Sequence, residues 1–272
     1  VYDEILYEVD DPVAVITLNR PEALNAWTQS MDAQIRDALH RANADRSVVG
    51  IVITGAGRAF CAGADMNLLN AIGEGSGAAR EAEEAQPWVR AEGDFNGRFP
   101  YLMSLDKPVI AAVNGAVAGM AYPFVLCCDL RVVTPNALFL TAFAQRGLIA
   151  EWGLSWLLPR LVGPGVALDL LLSSRKVGGE EAHALGLANY LVAPDELLGF
   201  CREYVENLAR TSSPASMAVM KRQVYEQLHR GLGAAEHESQ RLMVESFARP
   251  DFREGVRSFI EKRPPRFERL GD

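Results

Sequence analysis

Cysteine is scarce: four in 272 residues, with Cys127 and Cys128 adjacent, too few and too irregularly spaced for a disulfide framework. This excludes a disulfide-stapled scaffold and points to a reducing, cytoplasmic setting. Histidine is equally thin. His40, His183, His229 and His237 lie apart, with no HExxH and no paired-cysteine spacing, so no metal site is expected. Positive charge is in deficit as well. A net charge of −8 and a pI of about 5.2 argue against a nucleic-acid surface, although "EKRPPR" (Glu261 to Arg266) is a local basic cluster able to meet an anion. The opening "VYDEILYEVDD" carries no signal-peptide pattern, and repeats and low-complexity tails are missing. One uncharged run, Pro108 to Cys128, approaches the length of a bilayer helix. Pro108, Asn114, Gly115, Gly119 and Pro123 punctuate it, so it reads as a buried strand, a turn at "NG" and a core helix, with no membrane span expected.

What is present is the ordinary mix of a globular protein, 49% hydrophobic and 23% charged. "VAVITL" (Val13 to Leu18) and "VVGIVIT" (Val48 to Thr54) are continuous apolar runs, as strands covered on both faces require. "PVIAAV", "LRVVT" and "ALFLT" read as further strands. Between the first two, Thr28 caps a helix to Asn43 whose Met31, Ile35, Ala38, Leu39 and Ala42 form one stripe. Residues 73–97, rich in Gly, Glu and Ala, read as a mobile, partly helical segment that shapes the pocket. Beyond Asp195 come four amphipathic helical stretches with no strand between them. The expectation is an α/β body over residues 1–194 with a helical C-terminal region over 195–272 that packs on a neighbouring subunit.

Several sites fall away on inspection. "GLSWL" around Ser155 lacks the second glycine of a nucleophile elbow, and "TGAGRAF" has neither a third glycine in register nor a Walker lysine. Cys61, with no base nearby in sequence, reads as a core thiol. Two loops remain, each following a buried strand: "AFCAGADM" (Ala59 to Met66) and "NGAVAGMAY" (Asn114 to Tyr122). Small residues let a ligand approach the backbone, and each loop runs toward a helix start with free N–H groups. Two such groups converging would make an oxyanion hole.

Together "NRPEALNAW", "AFCAGADM", "DKPVIAAVNGAVAGM", "CCDLRV", "LPRLVG" and "FIEKRPPRF" resemble the crotonase superfamily, the enoyl-CoA hydratase/isomerase family, in order and over nearly the whole chain. The resemblance implies a crotonase-type spiral of strands and helices with a C-terminal trimerisation region, assembled as a homotrimer or dimer of trimers. It implies a coenzyme A thioester as substrate, with no separate cofactor because CoA is part of that substrate. Carried over by position, the oxyanion donors are the backbone N–H groups of Ala64 and Met120. Ala26, Ala62, Asp65 and Met66 fall among the substrate-contact positions, with Asp65 expected to cap the following helix and point away from the acyl group. Phe259 and Lys262 match residues that contact the CoA nucleotide, often from an adjacent subunit.

The chain departs from the hydratase pattern in one respect that decides its chemistry. Hydratases of this family use two glutamates, and at those positions stand Pro123 and Phe143, neither able to transfer a proton. A third acid, Glu151 in "GLIAEWG", falls where dienoyl-CoA isomerases of the family carry an active-site aspartate. Trp152, Phe143 and Ile149 are expected to make its surroundings apolar, which disfavours the charged form and moves its pKa toward the range useful for acid–base catalysis. The other reading of Glu151 is an acid capping the helix "WGLSWLLPRLVG". A single proton carrier suits an allylic double-bond shift. Two alternatives stand beside it: another enolate reaction, such as carbon–carbon cleavage, thioester hydrolysis or dehalogenase-like capture, and a non-catalytic acyl-CoA-binding paralogue.

Overall fold

The computed structural model describes residues 1–65 and 94–272; most of the expected segment 73–97 lies outside them. Two sheets organise the chain. Strands β1 (Ile5–Asp10), β2 (Val13–Leu18), β3 (Gly50–Gly55), β5 (Val109–Val113), β7 (Leu130–Val133) and β10 (Tyr190–Leu191) form the larger, in the order β1-β2-β3-β5-β7-β10. The smaller holds β4 (Ala59–Cys61), β6 (Ala116–Ala118), β8 (Leu138–Leu140) and β9 (Val177–Gly178), in the order β4-β6-β8-β9. All pairings from β2 to β10 in the larger sheet and from β4 to β8 in the smaller are parallel. The chain therefore coils: β3 then β4, β5 then β6, β7 then β8, each turn laying one strand in each sheet. That is the expected spiral.

The apolar runs explain the larger sheet. Every residue of β3 and β5 is buried, as parallel strands covered on both faces demand. One face packs on the helix Gln29–Ala44, where Thr28 Oγ1 accepts the Met31 N–H at 2.9 Å and the five expected stripe residues are buried. The opposite face, with Val15, Val52, Ile110 and Val132, is covered by Leu197, Cys201 and Val205 of the helix Leu197–Thr211. The first of the C-terminal helices is thus a layer of the body. The remaining three, Pro214–Gln227, Leu232–Phe247 and Pro250–Glu261, extend beyond it and leave Met220, Val224, Val244, Val256 and Ile260 exposed.

The uncharged run Pro108 to Cys128 contains β5, then β6, then the helix Ala121–Leu126. Sequence reading missed β6, as it missed β4, because both are short and sit among the Gly and Ala of the flanking loops. One helix among the described residues, Leu154–Ser173, is long and apolar enough to cross a membrane, with mean hydropathy 1.3. It is broken at Gly163, whose φ of 78° and ψ of 158° lie outside any helix.

"CCDLRV" fastens the helical region to the body. The Asp129 carboxylate accepts the Val109 N–H at 2.7 Å and the Tyr225 hydroxyl at 2.8 Å, and meets Lys221 Nζ at 2.8 Å. Lys221 in turn donates to the carbonyls of Leu102 and Lys107. Arg131, 4% exposed, donates to the carbonyls of Leu187 and Cys128. Removing one member of this largely buried pair leaves the other poorly solvated and without its counter-charge. Asp129→Ala should therefore destabilise the fold by about 3 kcal/mol, read as a lower urea midpoint, with Asp129→Asn costing less because the hydrogen bonds partly survive.

Candidate functional site

Strands β4, β6 and β8 are parallel neighbours, so the loops leaving their carboxyl ends emerge side by side. In parallel α/β architecture that is where ligands bind. A cavity of about 220 Å³ opens there, walled by Ala62 to Ala64 after β4, Gly119 and Met120 after β6, and Thr141 to Trp152 in part after β8.

The first two loops touch backbone to backbone. Gly63 has φ of 99°, and a Cβ there would lie 2.9 Å from the Ala118 carbonyl oxygen. Gly119 has φ of 51°, and its Cβ would come 3.9 Å from the Gly63 Cα. At Gly63 only glycine permits both the positive φ and the approach, while Gly119 needs its glycine for the backbone conformation alone. Each of these glycines precedes a residue whose N–H has no acceptor among the described residues. Trp27 N–H donates to Gly63 O at 2.7 Å, Asp65 N–H to Trp27 O at 3.0 Å, and Gly119 N–H to Leu140 O at 3.0 Å. The N–H groups of Ala64 and Met120 donate to no acceptor among the described residues. Both residues line the cavity. Two expected oxyanion donors thus stand side by side with their hydrogen bonds available.

Asparagines secure this arrangement from behind. The wholly buried Asn25 donates to the carbonyls of Ala56 and Ala59, both at 2.9 Å. Asn114 donates to Gly55 O at 2.9 Å and Gly57 O at 3.0 Å. Cys61, beneath the first loop, is fully buried, and burial pushes its thiol up to about 12. It stays protonated at neutral pH, a core thiol as expected.

Glu151 comes from the third loop. Phe143 O accepts the N–H groups of Arg146 at 2.9 Å and Leu148 at 3.0 Å, which curls the segment after β8. The chain then turns sharply: Trp152 and Gly153 have φ of 47° and 78°, and Leu154 N–H donates to Glu151 O at 3.0 Å. Gly153 is the N-cap of the following helix, with no side-chain cap bond. The Glu151 side chain is half-buried and lines the cavity, as the one carboxylate among the described wall residues. Phe143, 5% exposed, and the half-buried Trp152 are apolar parts of the same wall. Ile149, expected to shield the acid, is 76% exposed instead and is absent from the cavity wall.

Of the other residues singled out, Ala62 is in the wall. Ala26 lies behind it, its carbonyl accepting Arg20 Nη1 at 2.6 Å. The Asp65 carboxylate pairs with Arg20 at 3.2 Å, while the helix it was expected to cap, like Met66, falls outside the described residues. Pro123 is buried in the helix Ala121–Leu126 and is not a wall residue. Phe259, 85% exposed, and Lys262, the C-cap of the last helix, belong to the surface of the C-terminal region. Sequence reasoning missed Arg146, whose Nη1 donates to Ala142 O at 3.0 Å at the cavity edge. Its signal was a lone cation in "FAQRG", indistinguishable in sequence from a solvated charge. Among the described residues no group of three or more His, Cys, Asp or Glu could hold a metal.

Comparison with known proteins bears on this geometry. A family profile described as enoyl-CoA hydratase/isomerase matches residues 8–270. A "probable enoyl-CoA hydratase" of Rhodobacter capsulatus is 38% identical over 98% of both chains. The 1,2-epoxyphenylacetyl-CoA isomerase of Escherichia coli is 34% identical over 97% of both. Among solved structures, an enoyl-CoA hydratase from Mycobacterium tuberculosis superposes with a TM-score of 0.84 at 29% identity, covering 97% of this chain and 98% of that one. A methyl group at position 63 would force the two glycine loops apart. Since displacements near 1 Å cost about a hundredfold in rate, Gly63→Ala should lower turnover of an acyl-CoA thioester by about that factor in a steady-state assay.

Proposed function

The chain belongs to the enoyl-CoA hydratase/isomerase family, an enzyme acting on CoA thioesters as lyase or isomerase, and from that premise we propose that it moves a double bond through a thioester enolate with Glu151 as its single proton carrier. The observation that carries this reading is the composition of the cavity wall: two unspent backbone N–H groups and one carboxylate. Ala64 and Met120 hold the thioester oxygen as it gains negative charge, each donor contributing roughly 3 kcal/mol in the transition state. The Glu151 carboxylate takes a proton from the α-carbon of a β,γ-unsaturated thioester. The C–H electron pair moves into the dienolate, and the same carboxyl group returns the proton at the γ-carbon. One acid serves both steps because the same carboxyl group takes a proton from one carbon and delivers one to the other, exchanging with solvent between the two.

Hydration needs a second group to activate water, and the positions that carry the hydratase glutamates are Pro123 and Phe143, both buried. That favours proton transfer over addition of water. The kinship with an isomerase acting on a ring-bearing CoA thioester is in keeping with this preference.

The proposal extends to assembly. The exposed apolar side chains of the last three helices, Val244, Phe247, Val256 and Ile260 among them, are the contact that joins subunits into a trimer or a dimer of trimers. Phe259 and Lys262 then reach the CoA nucleotide from a neighbouring subunit. Sedimentation equilibrium should give a multiple of three chains, and Val256→Glu should shift it toward monomer. A cytoplasmic setting agrees with four buried free cysteines.

The enolate reading is tested by incubating the enzyme with saturated and β,γ-unsaturated acyl-CoAs in deuterated water and following thioester mass. The wild type should incorporate deuterium and shift the double bond. Glu151→Gln should slow both by at least about a hundredfold, in line with a lost general acid–base group. Unchanged incorporation in Glu151→Gln would remove Glu151 from the mechanism, and no incorporation with any bound thioester would leave a binding scaffold.

A further inference from the structure

The direction of the Ala64 N–H is set by its own peptide plane. That plane carries the Gly63 carbonyl on one edge and the Ala64 N–H on the other, and in a trans peptide the two point opposite ways. Gly63 O accepts the Trp27 N–H at 2.7 Å, so the Ala64 N–H is turned away from Trp27. A second bond, from Asp65 N–H to Trp27 O at 3.0 Å, completes a parallel bridge between Trp27 and Ala64. The bridge is isolated. It has no ladder to stiffen it, although the oxyanion donor depends on it.

One side chain grips both partners of that bridge. Arg20 Nη1 donates to the carbonyl of Ala26, the residue before Trp27, at 2.6 Å. Nη1 and Nη2 both donate to Oδ2 of Asp65, the residue after Ala64, at 3.2 Å. The planar fork of a guanidinium makes such a double grip possible. The Arg20 and Asp65 side chains are only 22% and 16% exposed, so water screens the pair less than it would a surface pair. Arg20 is itself held in place: its N–H donates to Asn25 Oδ1 at 2.9 Å, and Glu4 Oε1 lies 3.6 Å from its Nε. Neither Arg20 nor Asp65 is among the described wall residues of the cavity. The clamp acts from behind the wall.

We infer that Arg20 is a positioning residue of the oxyanion hole. By tying Asp65 to the Ala26–Trp27 segment it keeps the Gly63–Ala64 peptide plane turned so that the Ala64 N–H meets the thioester oxygen. This rests on the oxyanion reading of Ala64 and Met120 above but not on the role given to Glu151, since the carbonyl is polarised before any proton moves.

The test reads the polarisation of a thioester carbonyl that need not react. Butanoyl-CoA labelled with heavy carbon at the thioester carbonyl is bound at saturation, its dissociation constant is measured by isothermal titration, and its C=O stretch is recorded by isotope-edited infrared difference spectroscopy. In the wild type the stretch should move to lower frequency on binding, because hydrogen bonds to the oxygen weaken the C=O bond. Arg20→Gln should lose about half of that lowering, one of the two donors being misplaced. Its dissociation constant should stay within about fivefold of the wild type, since such donors act chiefly on the transition state. Asp65→Asn should give the same loss, and the double variant no more than either alone, because the two side chains make one clamp. Arg20→Lys, whose ammonium lacks the fork, should fall between. Should Arg20→Gln fail to fold, Asp65→Asn and Arg20→Lys read the same clamp. A lower melting temperature with an undiminished lowering of the stretch in these variants is what a merely structural role would give, and it would overturn the proposal. Additive losses in the double variant would do the same. A stretch unmoved in wild-type enzyme that binds butanoyl-CoA would overturn the oxyanion reading and the clamp with it, whereas no binding would overturn the acyl-CoA reading as well.

Discussion

The site depends on one close approach, that of Gly63 to the carbonyl of Ala118. A single added carbon there would sit 2.9 Å from a backbone oxygen that cannot move without unpairing β6. The smaller sheet exists in the form it does because β4 and β6 can pair until their ends nearly meet. Asn25 and Asn114 reinforce this from the other end by gripping carbonyls of the β3–β4 turn. Their amides supply in the interior the donors that a wider turn would have had to find in water.

Because the proposed oxyanion donors are backbone atoms, the side chains around them are free to vary in a way that catalytic side chains are not. Met120 illustrates this: its side chain is 3% exposed and packed, yet its N–H remains unspent. The proton carrier is the replaceable part. In the proposed reading, with Pro123 and Phe143 at the positions that the resemblance assigns to the hydratase glutamates, the acid comes from further along the segment after β8 while the polarising half of the site stays in place. A fold of this kind separates the step common to many thioester reactions, forming the enolate, from the step that distinguishes them, delivering the proton.

The parts of this architecture written in periodicity or punctuation were legible in the sequence. Thr28 and its stripe announced a helix, and "VGIVIT" and "PVIAAV" announced buried strands. β4 and β6, three residues each and set among Gly and Ala, passed for loops, whereas the equally short β8 was read from the bulky residues of "ALFLT". The direction in which a side chain leaves a turn was not legible either. Glu151 and Ile149 are two residues apart in an irregular segment with no period to say which of them faces inward, yet Glu151 lines the cavity and Ile149 is exposed. "CCDLRV" was visible as a family resemblance alone. Its physical meaning needed Lys221 and Tyr225, which lie about ninety residues further along the chain.

The coiling of the chain between two sheets has a kinetic corollary. Ile51 pairs with Val109 and Ala59 with Ala116, so each new strand waits for a long stretch of chain to close on the previous turn, and such nonlocal closure makes folding slow. Ala64, Met120 and Glu151 belong to three successive turns of that coil. No partially wound chain holds more than a fragment of the site, so recovery of activity after dilution from denaturant marks the arrival of the last turn, later than the recovery of helix or of collapsed volume.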